Sequence, residues 1–185
     1  MDIFAHGLWA AAVASGVKRI PGVKIRTAWT AWWGMFPDLF AFTLPATLEI
    51  YQWLAGVSSY GQAGHRGAPH HAEWVWQLYQ ISHSLIVFAL VFGLAALVAR
   101  RPVIELLGWL LHILIDIPSH SLRFFPTPFL WPVSDFKFDG ISWANRWFML
   151  CNYSALALVY FALWRSGRHA RAGSGDAELT SRTGE

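Results

Sequence analysis

Long apolar runs separated by short polar stretches dominate this chain of 185 residues. The apolar runs cover residues 3–17, 28–57, 81–99, 103–117 and 147–164. A helix needs about 20 apolar residues to cross a bilayer, so the longer runs suit a full span, whereas the first run is short. The pattern predicts an all-α polytopic membrane protein, a helical bundle with about four to five transmembrane helices.

Two stretches between the runs differ in composition. Residues 58–80 are rich in Gly, Ser, Gln and His, which predicts a loop with a short interfacial helix over 71–79. Residues 119–146 are strongly aromatic, and Pro126, Pro128 and Pro132 prevent a regular helix through their first half. Long irregular segments of this kind often serve as lids or binding loops.

We expect one integral-membrane domain over 1–164, followed by a disordered tail over 165–185.

Composition supports a membrane protein and limits the alternatives. Hydrophobic residues make up 55% of the chain, the mean hydropathy is +0.37, and there are twelve Trp residues. The net charge of +3 is modest, so nothing favours a nucleic-acid partner. Cys151 is the single cysteine, and the fold therefore cannot rest on intramolecular disulfides. We expect membrane lipids and a small or lipid-like substrate as partners, while the oligomeric state stays open.

The positions of lysine and arginine predict an orientation. If the loop over 18–26, the turn at Arg100 and Arg101, and the tail lie on one side, that side holds ten of the fourteen basic residues. The positive-inside rule makes this side cytoplasmic. The N-terminus and the two long loops then face outward. We expect an integral protein of a bacterial-type plasma (inner) membrane with a cytoplasmic tail.

Histidine and aspartate interrupt the apolar runs at similar depths in this topology. His112 and Asp116 lie one turn apart on the same face of a helix. At 1.5 Å per residue they fall in the outer half of the fourth run, and Asp38 falls near the middle of the second. A charge at bilayer depth costs about 2.5–3.5 kcal/mol, so such a carboxylate usually faces a partner, a metal ion or water. The candidate metal ligands are His6, Asp38, His83, His112, Asp116 and His120.

Imidazole and carboxylate together suit zinc or another first-row divalent ion. The candidates suffice for one or two ions, which would lower the pKa of bound water and polarise a phosphoryl or carbonyl oxygen. We therefore expect a metal-dependent hydrolase with an outward-facing site, acting on a phosphoester or lipid-linked ester, with Asp38 and Asp116 as catalytic residues. Three arginines are candidates for holding a phosphate: Arg66, Arg123 and Arg146. The simpler interpretation is that Asp116 hydrogen-bonds a neighbouring helix and His112 is a satisfied core histidine.

A family resemblance rests on these same residues. The motifs that carry it are His6, Pro37-Asp38, Ser82-His83-Ser84, His112-x-x-x-Asp116 and Ser119-His120. They resemble those of the predicted membrane-bound metal-dependent hydrolases, the YdjM-like family, over most of the chain up to about Trp143. Their order is also similar to that of zinc-dependent phospholipase C, an all-helical enzyme with a polynuclear zinc site. This likeness implies a similar arrangement of the core helices.

The resemblance implies a role for each candidate. One ion would be shared by Asp38, His83, His112 and Asp116. Asp116 would bridge to a second ion held by His6, and His120 would be a further ligand or a hydrogen-bond donor to one. No histidine and glutamate after His120 match the remainder of the phospholipase site, so a third ion is not expected.

Three alternatives remain open from the sequence. An inserted stretch separates the His-Arg-Gly element from His83, so a histidine near the insertion could replace His83 as ligand; these histidines are His65, His70 and His71. Facing histidines such as His83 and His112 could instead bind haem in a small membrane cytochrome. A third hypothesis is a non-enzymatic carrier or scaffold in which buried Asp and His form an ion or proton path.

Overall fold

The computed structural model describes residues 1–56 and 73–182, with side chains as far as residue 168. Within these ranges the chain is helical and contains no named strand. The helices are α1 (Ile3–Val17), α2 (Thr27–Leu54), α3 (Glu73–Ser82), α4 (Leu85–Ala99), α5 (Leu107–Ser119) and α6 (Arg146–Arg182). A 3-10 turn, Ile104–Leu106, leads into α5. The predicted all-α class is confirmed.

Polar side chains at two helix starts explain where the apolar runs begin. The Asp2 carboxylate caps α1 by accepting a hydrogen bond from an amide of the first turn at 3.0 Å. The Ser84 hydroxyl caps α4 by accepting from two first-turn amides, and it donates to the carbonyl of Trp131. Such oxygens satisfy amide groups that the first turn leaves unpaired. Ser84 thereby sets the start of α4 within the third apolar run, and it leaves His83 at the break between α3 and α4, which are bent by 56°.

Small residues allow α1, α2 and α5 to approach closely. Helix α2 packs against α1, α3 and α5, and α6 packs against α1. Gly108 of α5 lies directly on the backbone of α2, because a Cβ atom there would overlap the carbonyl oxygen of Thr30. Gly34 of α2 lies equally close to α1, since an added Cβ atom would come within 2.6 Å of the Ala10 Cβ. Because the three helices cross so closely, their polar side chains lie near one another in the interior.

An apolar cluster supports the face of α5 next to His112 and Asp116. Its buried members are Phe88, Leu106, Trp109 and Ile113. The Trp109 indole also donates a hydrogen bond of 2.6 Å to the carbonyl of Ser82. This bond fixes α5 against the end of α3, next to His83.

The aromatic segment between α5 and α6 is irregular, as predicted, and lies back on the helices. Its amides pair with carbonyls at the end of α5, with Gly140 donating to His120 at 2.8 Å and Trp143 donating to Ser119 at 2.9 Å. Its other half accepts a hydrogen bond from the amide of Leu85 through the Phe129 carbonyl. The segment is therefore attached to both α4 and α5.

The number of possible membrane spans is smaller than predicted. By length and apolar composition, one stretch of the described chain could cross a membrane, Arg146–Arg168. The bent pair of α3 and α4 would be a second if it forms one broken span, and α1 is apolar but short. The expected four to five spans are therefore not confirmed.

The tail also differs from the sequence-based expectation. Residues 165–185 were expected to lack regular structure, whereas α6 continues to Arg182. No proline follows Arg146, and extending an existing helix requires far less ordering than starting a new one. The helix that begins in the fifth apolar run therefore continues beyond Trp164, where that run ends.

Candidate metal centre

Two histidines and two aspartates from three regions of the fold converge in the interior. Asp38 comes from α2, His112 and Asp116 come from α5, and His83 comes from the break between α3 and α4. One donor atom of each residue lies within 4.8 Å of the others, and all four residues are buried. The spacing of His112 and Asp116 places both on the face of α5 that meets α2, which is where Asp38 lies.

The distances within this cluster match a small tetrahedral site. His112 Nε2 lies 3.1 Å from Asp116 Oδ2 and 3.7 Å from Asp38 Oδ1. His83 Nε2 lies 3.5 Å from each of the same two oxygens. Zinc bonds of about 2.0–2.1 Å in a tetrahedron place neighbouring donors about 3.3 Å apart. The cluster therefore has the size that a tetrahedral divalent ion requires.

Backbone carbonyls determine which ring nitrogen of each histidine faces the cluster. His112 Nδ1 lies 2.7 Å from the Gly34 carbonyl oxygen, and His83 Nδ1 lies 3.1 Å from that of Tyr79. A carbonyl oxygen only accepts, so these contacts favour the tautomer with the hydrogen on Nδ1 in both rings; the Ser82 hydroxyl also lies 2.9 Å from His83 Nδ1. In neutral rings the two Nε2 lone pairs then face each other at 3.1 Å. That arrangement is unfavourable unless a cation lies between them, and metal-binding histidines are commonly held in this way.

The two carboxylate oxygens of Asp116 face different groups. Oδ2 faces His83 and His112 and takes part in no hydrogen bond with the described residues. Oδ1 accepts a hydrogen bond of 2.6 Å from the Met1 amino group and lies 2.9 Å from His6 Nε2. The side chain is completely buried, so bulk solvent does not reach Oδ2. This two-sided environment is suited to a carboxylate that bridges two cations.

His6 and His120 lie on the Oδ1 side of Asp116. The His6 ring stacks on His112 with 3.7 Å between ring centroids, and neither His6 nitrogen has a hydrogen-bond partner among the described residues. His120 Nδ1 lies 3.2 Å from the Asp116 backbone oxygen and 3.4 Å from Oδ1. Because both neighbours are oxygens, Nδ1 carries the hydrogen and His120 Nε2 is left for a ligand.

A cavity of about 760 Å³ reaches the cluster. Asp38, His120 and Arg123 are among the polar residues that line it. Its aromatic walls are formed by Phe42, Trp76, Tyr79, Phe124, Phe125 and Trp143. Three of these side chains belong to the irregular segment after α5, which therefore does border a cavity. Apolar walls with a few converging polar groups are typical of small-molecule sites.

The structure places every candidate ligand, and it adds residues that the sequence did not suggest. Asp38, His83, His112 and Asp116 form the cluster, whereas His6 and His120 contact Asp116 on its other side. The three alternative ligands, His65, His70 and His71, lie outside the described residues, as does Arg66, one of the candidates for holding a phosphate.

Two groups that orient the histidines of the cluster were not predicted from the sequence, although each lies four residues before a candidate ligand. Tyr79 precedes His83 by four residues, and its carbonyl orients the histidine while its ring stacks on it at 3.8 Å. Gly34 precedes Asp38 by four residues, so its carbonyl lies on the same face of α2. Nothing in the hydrophobic and polar pattern of the sequence predicted the contact between the Met1 amino group and Asp116.

The geometry disfavours the haem alternative. A porphyrin between His83 and His112 would need far more space than the 3.1 Å that separates their Nε2 atoms. Carboxylates also flank both rings at 3.1–3.7 Å, where a macrocycle would have to lie. The donor set fits a small divalent ion better.

Comparisons with known proteins give no match. Neither protein-family models nor curated proteins nor solved structures match this chain. Its function is therefore inferred from the geometry of the metal centre and of the cavity beside it.

Proposed function

We propose that this chain is an integral-membrane, metal-dependent hydrolase that acts on a phosphoester or ester of an amphipathic molecule. The observation that carries the proposal is the buried cluster of Asp38, His83, His112 and Asp116, in which two Nε2 atoms and carboxylate oxygens face a common centre. Two carboxylates balance the charge of a divalent ion, and mixed nitrogen and oxygen donors favour a zinc-type ion. Such an ion, when bound, supplies Lewis acidity and lowers the pKa of bound water.

The acidic and imidazole side chains around the ion have different roles in the proposed reaction. Asp116 is fully enclosed, so it holds charge and fixes His6, His112 and His120 around it. Asp38 belongs to the cluster and also lines the cavity, which places its carboxylate where it can accept a proton from attacking water. His6 and Oδ1 of Asp116 provide a place for a second ion, with His120 Nε2 facing the same region.

The cavity supports an amphipathic substrate. Aromatic side chains form most of its walls, and they would contact an apolar group through dispersion and burial of surface. Arg123 is the cation on its lining, and a guanidinium can bind two phosphate oxygens at once. A molecule with a phosphate near the metal centre and a hydrocarbon part along the aromatic walls would use both features.

Exposed apolar helices support the membrane placement. Phe88 is the one buried residue of α4, and four large side chains on that helix are 62–77% exposed: Leu90, Leu94, Leu97 and Val98. In the candidate span of α6, Arg146–Arg168, 6% of the apolar stretch is buried inside the protein. Contiguous apolar surfaces of this extent are rare on soluble monomers. Contact with lipid would remove the unfavourable exposure of these side chains to water. The clustered basic residues favour a cytoplasmic side opposite an outward-facing metal centre.

Hydrolysis by the full chain in detergent tests the proposal. Purified protein is stripped with chelator, reloaded with zinc, and assayed on soluble phosphomonoesters and phosphodiesters, on carboxyl esters and on phospholipids. We expect activity that depends on zinc and falls by about 100-fold or more in Asp38→Asn. Asp135→Asn is the matched control, because Asp135 is exposed in the segment between α5 and α6 and its carboxylate takes part in no hydrogen bond or ion pair with the described residues. Zinc-loaded protein that hydrolyses none of these substrates would contradict the proposal, as would activity that chelation leaves unchanged.

A further inference from the structure

A second cavity, of about 590 Å³, lies among the residues that connect α1 to α2 and α4 to α5. We call it the basic cleft. Its lining residues are Lys18, Val23, Lys24, Ile25, Arg26, Arg101 and Glu105. It shares no lining residue with the cavity at the metal centre. Four cations and one carboxylate therefore surround a space that the proposed hydrolase does not use.

The cations of the basic cleft stand on an ordered backbone. Lys18 caps the end of α1, with its amide bonded to the Ala14 carbonyl. The following loop turns at Gly22, whose φ of 82° lies in the region that glycine adopts without strain. Ile25 is buried beneath the loop and anchors it. The loop thus presents Lys24 and Arg26 from a fixed position.

Glu105 positions Arg26 and leaves most of its hydrogen-bonding capacity free. Arg26 Nε donates to Glu105 Oε1 at 2.9 Å, and the guanidinium lies 5.4 Å from the centre of the Trp29 ring. The two terminal amino groups of Arg26 form no hydrogen bond with the described residues, and the side chain is 63% exposed. Burial acts to raise the pKa of Glu105, but the hydrogen bond and charge of Arg26 outweigh it and hold that pKa below its usual value. Glu105 therefore stays ionised and fixes Arg26.

The remaining cations have no acidic partner in the described part of the chain. Lys18, Lys24 and Arg101 form no ion pair with the side chains described there. Three unpaired cations and a guanidinium with free terminal groups repel one another unless an anion joins them. A phosphate group suits this set, because lysines neutralise it as point charges and arginine binds two oxygens.

We propose that the basic cleft binds the phosphate headgroup of an anionic membrane lipid. Exposed apolar side chains beside the cleft, Ile20 and Trp29, favour a lipid over a soluble phosphate, since such residues occur where a protein meets the membrane interface. Basic pockets on the cytoplasmic side commonly bind anionic headgroups. The proposal rests on the membrane placement proposed above and is independent of the metal centre.

Lipid binding to the full chain in detergent, counted by native mass spectrometry, tests this site. Phosphatidylglycerol, phosphatidylcholine and glycerol phosphate are titrated separately against wild type, Lys24→Gln/Arg101→Gln and Arg165→Gln/Arg168→Gln. Both double variants remove two exposed charges, but the second pair lies outside the cleft. We expect preferential binding of phosphatidylglycerol, weakened at least about tenfold in the cleft variant and changed less than about twofold in the control.

Three results would overturn the proposal. Equal binding of the two lipids would show that the net negative charge of the headgroup is not recognised, since both lipids carry a phosphate. Equal weakening in both double variants would indicate diffuse surface charge. Glycerol phosphate binding that depends on Lys24 and Arg101, without a lipid preference, would indicate a soluble ligand. A thermal unfolding midpoint in detergent equal to that of wild type shows that the cleft variant is folded, and Lys18→Gln/Lys24→Gln replaces it if it is not. Lipid binding is measured without zinc and does not depend on hydrolysis, so its failure is distinguishable from a failure of the proposed hydrolase activity.

Discussion

The residues of the metal centre are held by the backbone as much as by one another. The carbonyls of Gly34 and Tyr79 orient His112 and His83, and both carbonyls belong to residues one helical turn before an acidic or imidazole ligand candidate. The spacing of His112 and Asp116 predicted their common face from the sequence. The carbonyl contact from Gly34 depends on how closely α2 and α5 cross, and a one-dimensional pattern does not contain that distance.

Glu105 offers a test of charge at the residue scale. Its pKa lies below its usual value of 4.5 because Arg26 favours the ionised form despite burial. A lowered pKa stabilises the folded state above the unfolded pKa, and this contribution is lost as the pH falls through the folded pKa. We expect Glu105→Gln to lower stability at pH 7 by about 1 kcal/mol. The difference from wild type should shrink as the pH falls below about 4.5, as followed by thermal unfolding in detergent. A difference that is constant from pH 7 to pH 3 would contradict this assignment.

At the scale of elements, the position of the apolar helices was largely predictable. The first apolar run begins and ends with α1, and the fourth corresponds to the 3-10 turn followed by α5. The short helix expected over 71–79 is found as α3, described from Glu73, and the third run corresponds to α4, whose start at the Ser84 cap leaves His83 at the bend between the two helices. A capping serine competes locally with helix continuation, and apolar periodicity alone does not register it. The bend is what turns His83 toward α5.

Close helix packing provides a prediction at this scale. Gly108→Ala should lower stability by about 1–3 kcal/mol, because the new methyl group overlaps the backbone of α2 and pushes α5 away. The same shift would separate Asp116 from Asp38 and lower zinc content. Thermal unfolding and elemental analysis measure the two effects.

Gly93→Ala is the matched control for this variant. No atom lies within 4 Å of an added Cβ at Gly93, and alanine favours the helix by up to about 1 kcal/mol. It should leave zinc content unchanged and stability equal or higher. Equal loss of stability in both variants would show that the crossing of α2 and α5 is not tightly packed.

At the scale of the whole molecule, the main disagreement concerns the number of spans. Hydropathy indicated four to five, whereas the described helices include one clear candidate and a bent pair. The described helices α1, α4 and α5 have 15, 15 and 13 residues, fewer than the roughly 20 that a full span needs. The Ser84 cap and the 3-10 turn shorten α4 and α5, whereas Pro37, Pro45 and Pro118 lie inside their helices. The exposed faces of α4 and α6 still call for an apolar environment.

Cysteine labelling tests that environment. In a Cys151→Ser background, Leu158→Cys places a thiol on the exposed face of α6, and Asp135→Cys places one in the irregular segment. In intact cells a membrane-impermeant maleimide should label residue 135 but label residue 158 only after denaturing detergent is added, because the reactive thiolate does not form in lipid. Rapid labelling at both positions in intact cells would contradict the membrane placement.

The central claim is that buried imidazoles and carboxylates bind a divalent ion, and metal content measures this most directly. The full chain, its Asp116→Asn variant and the Asp135→Asn control are purified in parallel with zinc supplied during expression and analysed for bound elements. Asparagine keeps the shape of Asp116 but removes the charge that faces four histidines and both candidate ion positions. We predict at least one divalent ion per chain in wild type and control, and a loss of most of it in Asp116→Asn. Wild-type protein without stoichiometric metal, or equal metal in all three proteins, would contradict the account.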